Sequence, residues 1–389
     1  MNSYLECIAR GLLQRGHDLA FVHQNPVSQG CRSELRSLPR RVCLEETGLE
    51  NGLRTLAEFQ PNLCFSHNMR FLEVEEALVG RWPTLKFMHI FLGTCVSGTK
   101  SHRLPSQAPC DRAFGLGCVG AYFPRRCGSF SPTALVRGYR WASRQRALFP
   151  RYAGVAVGSG YMEREFLANG VAPGRLHRIP LFAASSASES KPTAAARFER
   201  PGGVSRLVFI GRMTSLKGAT LAVQAVASAQ ERLGRPLELV FIGDGPERSR
   251  CEVLVQKLSV RCEFRGWQEG ASRDRWFEDA ALLLFPSVWP EPFGLVGLEA
   301  AARGVPAVAF KVGGIGEWLE EGVSGRFAEG NQLNGASLGT AVAEALRSEP
   351  AWRRLSEGAV ATAARLSLKA HLDRLESVLE SIVRAARER

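Results

Sequence analysis

The chain has 389 residues, of which 45% are hydrophobic and 23% are charged, and its formal net charge is +12. These proportions are typical of a globular protein, and the length predicts two or three domains. No apolar run reaches the roughly 18 residues of a membrane-spanning helix. The first residues also lack the basic and apolar blocks of a secretory signal.

Most of the positive charge belongs to the first half of the chain. Residues 1–185 contain 23 Lys or Arg and 13 Asp or Glu, a balance of +10, whereas the remainder contains 27 and 25, a balance of +2. An excess of one sign indicates an anionic partner, which could be membrane lipid, nucleic acid or a phosphorylated substrate.

Short apolar runs alternate with helical patterns in the first half. The predicted strands are 18–24, 61–67, 84–91 and 154–159, and the predicted helices are 3–15, 49–59, 70–80 and 161–169. Such runs are typical of buried parallel strands. Residues 184–203 are small, polar and punctuated by proline and glycine, and they predict a linker.

The alternation resumes after the linker. Here the predicted strands are 205–212, 237–245, 260–267, 281–287, 306–314 and 324–330, and the predicted helices are 218–234, 248–259 and the tail 351–387. The two alternating halves predict an α/β fold with two doubly wound domains that face each other across a cleft.

Two cations follow the first strand of the second half. The chain turns at Gly211, and Arg212 and Lys217 lie in the loop before a predicted helix. Ligands of open α/β sheets bind at the carboxyl ends of strands, and helix N-termini favour anions. The pair therefore suits a diphosphate, although a solvated surface Arg and Lys would give the same pattern.

Two carboxylates occupy the stretch "WPEPFGLVGLEAAARG", which follows another predicted strand. Glu291 lies between two prolines that stiffen the loop. The next helix begins near Phe293, Gly294 and Leu295, whose N–H groups are free to bind ligand oxygens. Glu299 falls roughly 6–9 Å further along that helix and suits the two hydroxyls of a ribose. The alternative, a solvated Glu299, is weakened by its apolar neighbours.

These stretches resemble the landmarks of the group 1 glycosyltransferases, family 4. "EPFGLVGLE" is similar to their E-x7-E motif, and "GR…K", "GDGP", "FRGW" and "ARGVPAVAFKVGG" stand in the same order within 205–330. "GLLQRGHDLAF" and "VAVGSGYMEREFLANGVAPGRLHRIP" extend the resemblance more loosely into the first half. The resemblance implies a GT-B fold with two Rossmann-like domains.

That fold implies a set of domain boundaries. An acceptor-binding domain would cover 1–183 with an insertion at 93–131, and the linker 184–203 would follow. A nucleotide-sugar-binding domain would cover 204–365, and a last helix, 366–389, would pack back towards the first domain.

The resemblance also implies roles for individual residues. Arg212 and Lys217 would stabilise the leaving nucleoside diphosphate, Glu291 would contact hydroxyls of the donor sugar, and Glu299 would hold the ribose. His89 resembles the acceptor-side histidine near the transferred sugar, with a buried structural role as its alternative. The remaining donor contacts would be Gly211, Arg265 and Gly266, the last two beside the base, and the backbone of Phe293, Gly294 and Leu295.

The implied reaction transfers a sugar with retention of its anomeric configuration. The donor would be a UDP- or GDP-linked sugar, which is a substrate, and no cofactor is expected. The chain contains no D-x-D triplet, which favours a metal-free mechanism in which Arg and Lys supply the positive charge. The resemblance assigns the two glutamates to binding rather than to the acid and nucleophile roles of a hydrolase.

The insertion contains four cysteines, Cys95, Cys110, Cys118 and Cys127. Zinc sites usually include a C-x2-4-C pair, and none occurs here. Packed thiols, a metal or cluster site, and disulfides therefore all stay open.

The segment from Lys100 to Arg151 is strongly basic, with ten Lys or Arg and Asp111 as its only acid. Arg137, Arg140 and Arg144 share a helical face beside Tyr139 and Trp141. Such a segment favours an anionic membrane surface over a merely solvated face, and no nucleic-acid-binding module is recognised.

The family opens with a strand and a Gly-Gly loop, whereas this chain opens with "MNSYLECIARGLLQRGHD", already inside the first helix. We therefore expect the first strand to be missing and Met1 to be internal to the reading frame. The alternative is a truncated protein without activity.

The sequence predicts a cytoplasmic hexosyltransferase, peripheral at the inner membrane face, that acts on a lipid-linked saccharide in cell-surface polysaccharide synthesis. One alternative is a truncated, non-catalytic protein that binds sugar nucleotides. Another is a GT-B phosphorylase or epimerase, although no lysine stands out as the Schiff-base partner of a pyridoxal cofactor.

Overall fold

The computed structural model describes residues 2–24, 40–67, 69, 71–183, 198–199, 203–330 and 333–388. The chain divides into two compact units. Unit 1 contains Met1–Gly98, Val136–Pro180 and Leu368–Arg389, and unit 2 contains Thr99–Leu135 and Leu181–Ser367.

Fourteen strands are formed by the described residues. In chain order they are β1 (Phe21–His23), β2 (Arg41–Cys43), β3 (Cys64–His67), β4 (Thr84–Met88), β5 (Ser101–His102), β6 (Ala108–Pro109), β7 (Gly154–Val157), β8 (Leu176–Arg178), β9 (Ser205–Ile210), β10 (Leu237–Ile242), β11 (Arg261–Phe264), β12 (Leu282–Phe285), β13 (Ala307–Ala309) and β14 (Gly325–Phe327).

The α-helices alternate with these strands. They are α1 (Asn2–Gln14), α2 (Leu44–Thr47), α3 (Leu49–Phe59), α4 (Leu72–Arg81), α5 (Leu116–Tyr122), α6 (Pro132–Ala147), α7 (Gly160–Ala168), α8 (Ala219–Leu233), α9 (Arg248–Lys257), α10 (Gly270–Asp274), α11 (Leu295–Ala301), α12 (Gly335–Ala345), α13 (Glu349–Arg365) and α14 (Leu368–Arg387). None of the described helices is both long and apolar enough to cross a membrane.

The parallel strands of unit 1 form two sheets. β1 pairs with β2, and the second sheet has the order β3-β4-β7-β8. Every residue of β4 and β7 is buried, as is typical of parallel strands covered on both faces, and in β4 this includes Lys86. Arg15, just after α1, pairs with Asp373 and Glu376 of α14. The expected absence of a first strand stays a prediction.

Unit 2 is built on one parallel sheet of six strands, in the order β11-β10-β9-β12-β13-β14. β10 and β12 are buried along their whole length, and β9 is buried except at its last residue. The order reverses between β9 and β12, so the loops after these two strands diverge at the carboxyl edge of the sheet. The described strands confirm the predicted α/β fold with parallel sheets.

Side-chain caps explain where two of the helices begin. The Ser159 side chain accepts a hydrogen bond from the Met162 N–H at the start of α7, and Asn334 accepts from the Ser337 N–H at the start of α12. Each cap satisfies a helical N–H that has no partner within its own helix.

Several elements of the structure were not predicted from the sequence. The short strands β2 and β8 and the β5–β6 hairpin were not predicted, because runs of two or three residues carry no readable periodicity. The predicted linker 184–203 lies outside the described residues except for 198–199 and 203. Most of the predicted insertion 93–131 falls in unit 2, and the proposed domain boundaries stay predictions.

Candidate functional site

The loops after β9, β10 and β11 are joined by backbone hydrogen bonds at the carboxyl edge of the unit 2 sheet. The Gly211 N–H donates to the Ile242 carbonyl at 3.0 Å, and the Gly243 N–H donates to the Gly266 carbonyl at 2.7 Å. A Cβ on Gly243 would stand 2.0 Å from the Gly211 carbonyl oxygen, so this close approach requires glycine. The structure thus brings the predicted Gly211 and Gly266 to one edge.

The β9 loop also contacts the β12 loop. The Leu216 carbonyl accepts hydrogen bonds from the N–H groups of Val288 and Trp289, at 3.0 and 3.1 Å. These bonds place Lys217 beside Glu291, 74 residues further along the chain, and Lys217 Nζ lies 2.5 Å from Glu291 Oε1.

In the Lys217–Glu291 pair the carboxylate is buried and the ammonium group is partly exposed. The Glu291 side chain is only 5% exposed, whereas the Lys217 side chain is 31% exposed. Ser287 Oγ donates to the same Oε1 at 2.8 Å, and the Trp289 ring lies 4.8 Å from Lys217 Nζ. The carboxylate therefore fixes an ammonium group that solvent, or an anionic ligand, can still reach.

The backbone of Glu291 is held by the two glycines of "KVGG". The Gly314 N–H donates to the Glu291 carbonyl at 2.6 Å. Gly313 has φ +61°, and a Cβ there would stand 2.3 Å from the same carbonyl oxygen. Any larger side chain at Gly313 would displace the loop that carries Glu291.

The start of α11 is fixed by Trp318. Its indole N–H donates to the Phe293 carbonyl at 2.7 Å, and a Cβ on Gly297 would stand 1.9 Å from the indole ring. No other described residue accepts a hydrogen bond from the N–H groups of Phe293, Gly294 or Leu295. These three predicted donors are therefore unused at the edge of the sheet.

Glu299 lies on the second turn of α11, beside cations. Arg273 Nη2 is 3.2 Å from Glu299 Oε2, and Arg303 Nη2 donates to Asp274 Oδ2 at 2.7 Å. Burial raises the pKa of Glu299, and the nearby Arg273 opposes that rise. Glu299 Oε2 is buried and makes no other hydrogen bond to the described residues, so the Arg273 ion pair is its only partner among them.

The two predicted arginines differ in their surroundings. Arg212 is exposed and makes no ion pair with any described residue. Arg265 pairs with Glu263, its Nε donating at 2.8 Å, and its guanidinium lies 5.1 Å from the centre of the Trp276 ring. Arg212 is thus available to a ligand, whereas Arg265 already has partners.

His89 belongs to unit 1, where it follows β4. Its Nε2 lies 2.9 Å from Nδ1 of His67, and the Phe87 ring stacks on it with centroids 4.5 Å apart. Burial lowers the pKa of His89 to about 3 and also lowers the pKa of His67. Both rings are therefore neutral near pH 7, which suits a hydrogen-bonding role as well as a structural one.

Sequence reasoning missed residues that support the predicted ones. Ser287 and Trp289 stand just before Glu291, and their place after a buried strand was a usable indication. Trp318 and Arg273 lie far from their partners along the chain, and no sequence pattern pointed to them.

Three of the four insertion cysteines make weak hydrogen bonds. Cys95 Sγ lies 3.4 Å from Ser97 Oγ. Cys118 Sγ lies 3.8 Å from the Ala113 carbonyl oxygen, and Cys127 Sγ lies 3.7 Å from that of Ala121. No group of three or more His, Cys, Asp or Glu in the described ranges is placed to hold a metal ion.

The donor-side residues lie within a recognised stretch. Residues 190–361 match the family model for group 1 glycosyl transferases. The match includes the Lys217–Glu291 pair and Glu299, and it confirms the group 1 resemblance for this stretch. Membership of family 4 and the E-x7-E reading stay predictions.

Curated relatives support the same class. The chain is 30% identical over 238 residues to D-inositol 3-phosphate glycosyltransferase 1 of Catenulispora acidiphila, covering 57% of this chain and 55% of that protein. It is 36% identical over 121 residues to an uncharacterized glycosyltransferase of Methanocaldococcus jannaschii, covering 31% and 30%. The matches thus span about a third to a half of these relatives.

Solved structures match over nearly the whole chain. Sucrose-phosphate synthase from Thermosynechococcus elongatus has a TM-score of 0.69 at 20% identity, covering 98% of this chain and 93% of that one. Anabaena HepE, solved with UDP and glucose, has a TM-score of 0.63 at 18% identity, covering 93% and 99%. These neighbours confirm the predicted GT-B fold.

Proposed function

We propose that the protein is a retaining glycosyltransferase that moves a hexosyl unit from a nucleoside-diphosphate sugar to a hydroxyl group. The observation that carries the proposal is the Lys217–Glu291 pair, which is anchored at the carboxyl edge of a parallel sheet with its ammonium group open. The match of this stretch to a glycosyltransferase family model supports it.

The two cations of the β9 loop, Arg212 and Lys217, are proposed to stabilise the charge of the leaving diphosphate. Negative charge develops on the diphosphate as the anomeric bond breaks, and preorganised cations stabilise it. Lys217 is held in place by Glu291 and Trp289, so little reorganisation is needed when the charge forms. Arg212, exposed in the same loop, would supply the planar guanidinium for the second phosphate.

The two glutamates would bind the two sugars of the donor. Lys217 and Ser287 both contact Oε1 of Glu291, which leaves Oε2 to accept a hydroxyl of the hexose. The carboxylate of Glu299, oriented by Arg273, would accept from the ribose. The N–H groups of Phe293, Gly294 and Leu295 would bind phosphate or sugar oxygens between them. Arg265 and Gly266 would lie beside a uracil or guanine base.

The acceptor that we propose is a lipid-linked saccharide of cell-surface polysaccharide synthesis, reached at the cytoplasmic face of a membrane. The excess of +10 in residues 1–185 supports an anionic surface as partner. The cationic face of α6 contributes less than the sequence indicates, because Arg144 pairs with Glu73 and Glu76 at 3.1 and 3.0 Å.

Donor turnover tests the proposal. The purified chain is incubated with UDP- and GDP-linked hexoses, and release of UDP or GDP is followed with and without a membrane extract that supplies acceptor. We expect one donor class to be turned over, and Glu291→Ala or Arg212→Ala to lower the rate about 100-fold or more. Arg250→Ala, an exposed arginine of the same unit, is the matched control.

Two outcomes would contradict the proposal. Full activity in both Glu291→Ala and Arg212→Ala would remove these residues from the reaction. Binding of UDP or GDP without release from any sugar donor would instead indicate a non-catalytic protein that binds sugar nucleotides.

A further inference from the structure

The helix α5 in unit 2 presents an apolar face to solvent. Leu116, Val119 and Phe123 follow one another at spacings of three and four residues, so they share one face of the helix. Their exposed fractions are 80%, 40% and 36%, and Phe130, shortly after the helix, is 68% exposed. The seven residues of α5, "LGCVGAY", include no charged side chain.

The segment around α5 is tied by one buried side chain, Tyr122, and by hydrogen bonds before and after the helix. The loop before the helix is tied by Lys100 Nζ, which donates to the Arg112 carbonyl at 2.5 Å. The chain after it is tied at Arg125, whose carbonyl accepts from the N–H groups of Arg103 and Leu104 at 3.0 and 3.2 Å. The surrounding structure therefore holds the apolar side chains outward.

The same segment is rich in exposed arginines. Asp111 is the only acidic residue between Thr99 and Leu135. The Arg126 guanidinium lies 5.2 Å from the centre of the exposed Phe130 ring. Exposed apolar side chains that are flanked by cations match the apolar boundary and anionic head groups of a bilayer. We call these residues the docking surface: Leu116, Val119, Phe123, Phe130, Arg103, Arg112, Arg125 and Arg126.

We propose that the docking surface binds an anionic lipid bilayer, with its apolar side chains among the lipid head groups and its arginines on lipid phosphates. The choice of lipid over a protein partner follows from the charge, because a run of arginines with one acid complements a surface of uniform negative sign. The proposal deepens the proposed function by naming the surface that would meet a lipid-linked acceptor.

The docking surface and the candidate site are connected within unit 2. The indole N–H of Trp289, the residue that covers Lys217, donates to the Thr99 carbonyl at 2.5 Å. Thr99 begins the segment that carries the docking surface. Lipid binding at α5 would therefore hold the Glu291 loop at a defined place above the membrane.

Co-sedimentation with vesicles tests the proposal. The full chain is mixed with vesicles of phosphatidylcholine alone, or of phosphatidylcholine with phosphatidylglycerol. We expect binding to the anionic vesicles that weakens as salt is added. Two double variants should each bind at least about tenfold more weakly than the unmodified chain: Leu116→Ser/Phe123→Ser and Arg125→Gln/Arg126→Gln.

Two matched controls lie on α9 of the same unit. Val253→Ser removes a side chain that is 65% exposed, and Arg250→Gln removes an exposed cation. Both should bind vesicles like the unmodified chain. Insertion is tested separately with Leu116→Trp, whose added fluorescence should shift to the blue on anionic vesicles, whereas that of Val253→Trp should not.

Several results would overturn the proposal. These are no binding to anionic vesicles, equal binding by the docking-surface variants and the controls, and no shift for Leu116→Trp. Dimers in sedimentation velocity that are lost in Leu116→Ser/Phe123→Ser would assign the surface to a second copy instead. Release of UDP or GDP in solution without vesicles reports on the proposed function alone, so the two proposals fail separately.

Discussion

Each unit contains a trio of Lys, Ser and Glu whose side chains are in contact. In unit 1, Lys86 Nζ lies 2.5 Å from Glu75 Oε1, and Ser66 Oγ donates to the same oxygen. In unit 2, Lys217 Nζ lies 2.5 Å from Glu291 Oε1, and Ser287 Oγ donates to that oxygen. The chemical groups are the same, and in each trio Lys and Ser meet one oxygen of the carboxylate, although Lys86 also donates to Ser66 Oγ at 3.1 Å.

The two trios differ in what surrounds them. The side chains of Lys86 and Glu75 are 0% exposed, and Glu75 Oε2 accepts from the Tyr152 hydroxyl at 2.8 Å. Lys86 lies within β4 and Ser66 within β3, so both project from the body of a sheet. Lys217 and Ser287 follow the ends of β9 and β12. A charged trio in mid-sheet is enclosed by the fold, whereas the same trio at the carboxyl edge can meet a ligand.

The largest effect should come from breaking the enclosed pair. Lys86→Met leaves Glu75 buried without its counter-charge, so we expect the free energy of unfolding to fall by about 3–5 kcal/mol. Lys217→Met leaves Glu291, which is 5% exposed, with Ser287 as its remaining partner, so it should cost less, about 1–2 kcal/mol. Denaturant unfolding measures both. Equal losses in the two variants would remove the distinction between the trios.

Activity should show the opposite order. Lys217→Met removes a cation that would face the diphosphate, so we expect turnover to fall about 100-fold, or about 2.7 kcal/mol. Lys86→Met, assayed where it is folded, should keep turnover within a few-fold of the unmodified chain. Release of UDP or GDP from the donor, divided by the folded fraction from circular dichroism, measures both. A normal rate in Lys217→Met would indicate that the unit 2 trio, like the unit 1 trio, has only a structural role.

The buried interior of unit 1 should also make stability depend on pH. Burial lowers the pKa of His371 to about 4. Because the unfolded chain takes up this proton near pH 6.5, stability is full above that value and is lost as pH falls towards 4, by about 3 kcal/mol. His371→Gln should lack this contribution. Unfolding free energies measured at several pH values check it, and parallel curves for the two proteins would contradict it.

The smallest effect should come from the residue that covers the open pair. Trp289→Phe keeps a ring over Lys217 and removes the indole N–H that donates to Thr99. One lost hydrogen bond predicts a cost of about 1 kcal/mol in stability. Trp289→Leu also removes the ring over Lys217, so it should raise the KM for the donor more than Trp289→Phe does. Donor kinetics with both variants separate the two contacts.

The sequence by itself determined the α/β alternation and the order of the glycine-bearing loops. Apolar runs such as those of β7 and β12 appear in the sequence because these strands are buried on both faces. The strand ends also place Lys217 and Glu291 at one edge of a sheet, since the carboxyl ends of parallel strands lie together. Periodicity therefore indicated the edge at which Lys217 and Glu291 lie, and the resemblance to group 1 glycosyltransferases implied their donor-side roles.

Only the tertiary structure decided which polar groups are enclosed and which are open. Lys86 and Lys217 are both lysines near apolar residues in the sequence, and their difference depends on Glu75, Tyr152 and Glu291, which are distant along the chain. The apolar face of α5 is a second case, because an apolar run reads as core until its neighbours are known. The exposure of a side chain depends on the packed chain, because the residues that do or do not pack over it are far away in the sequence.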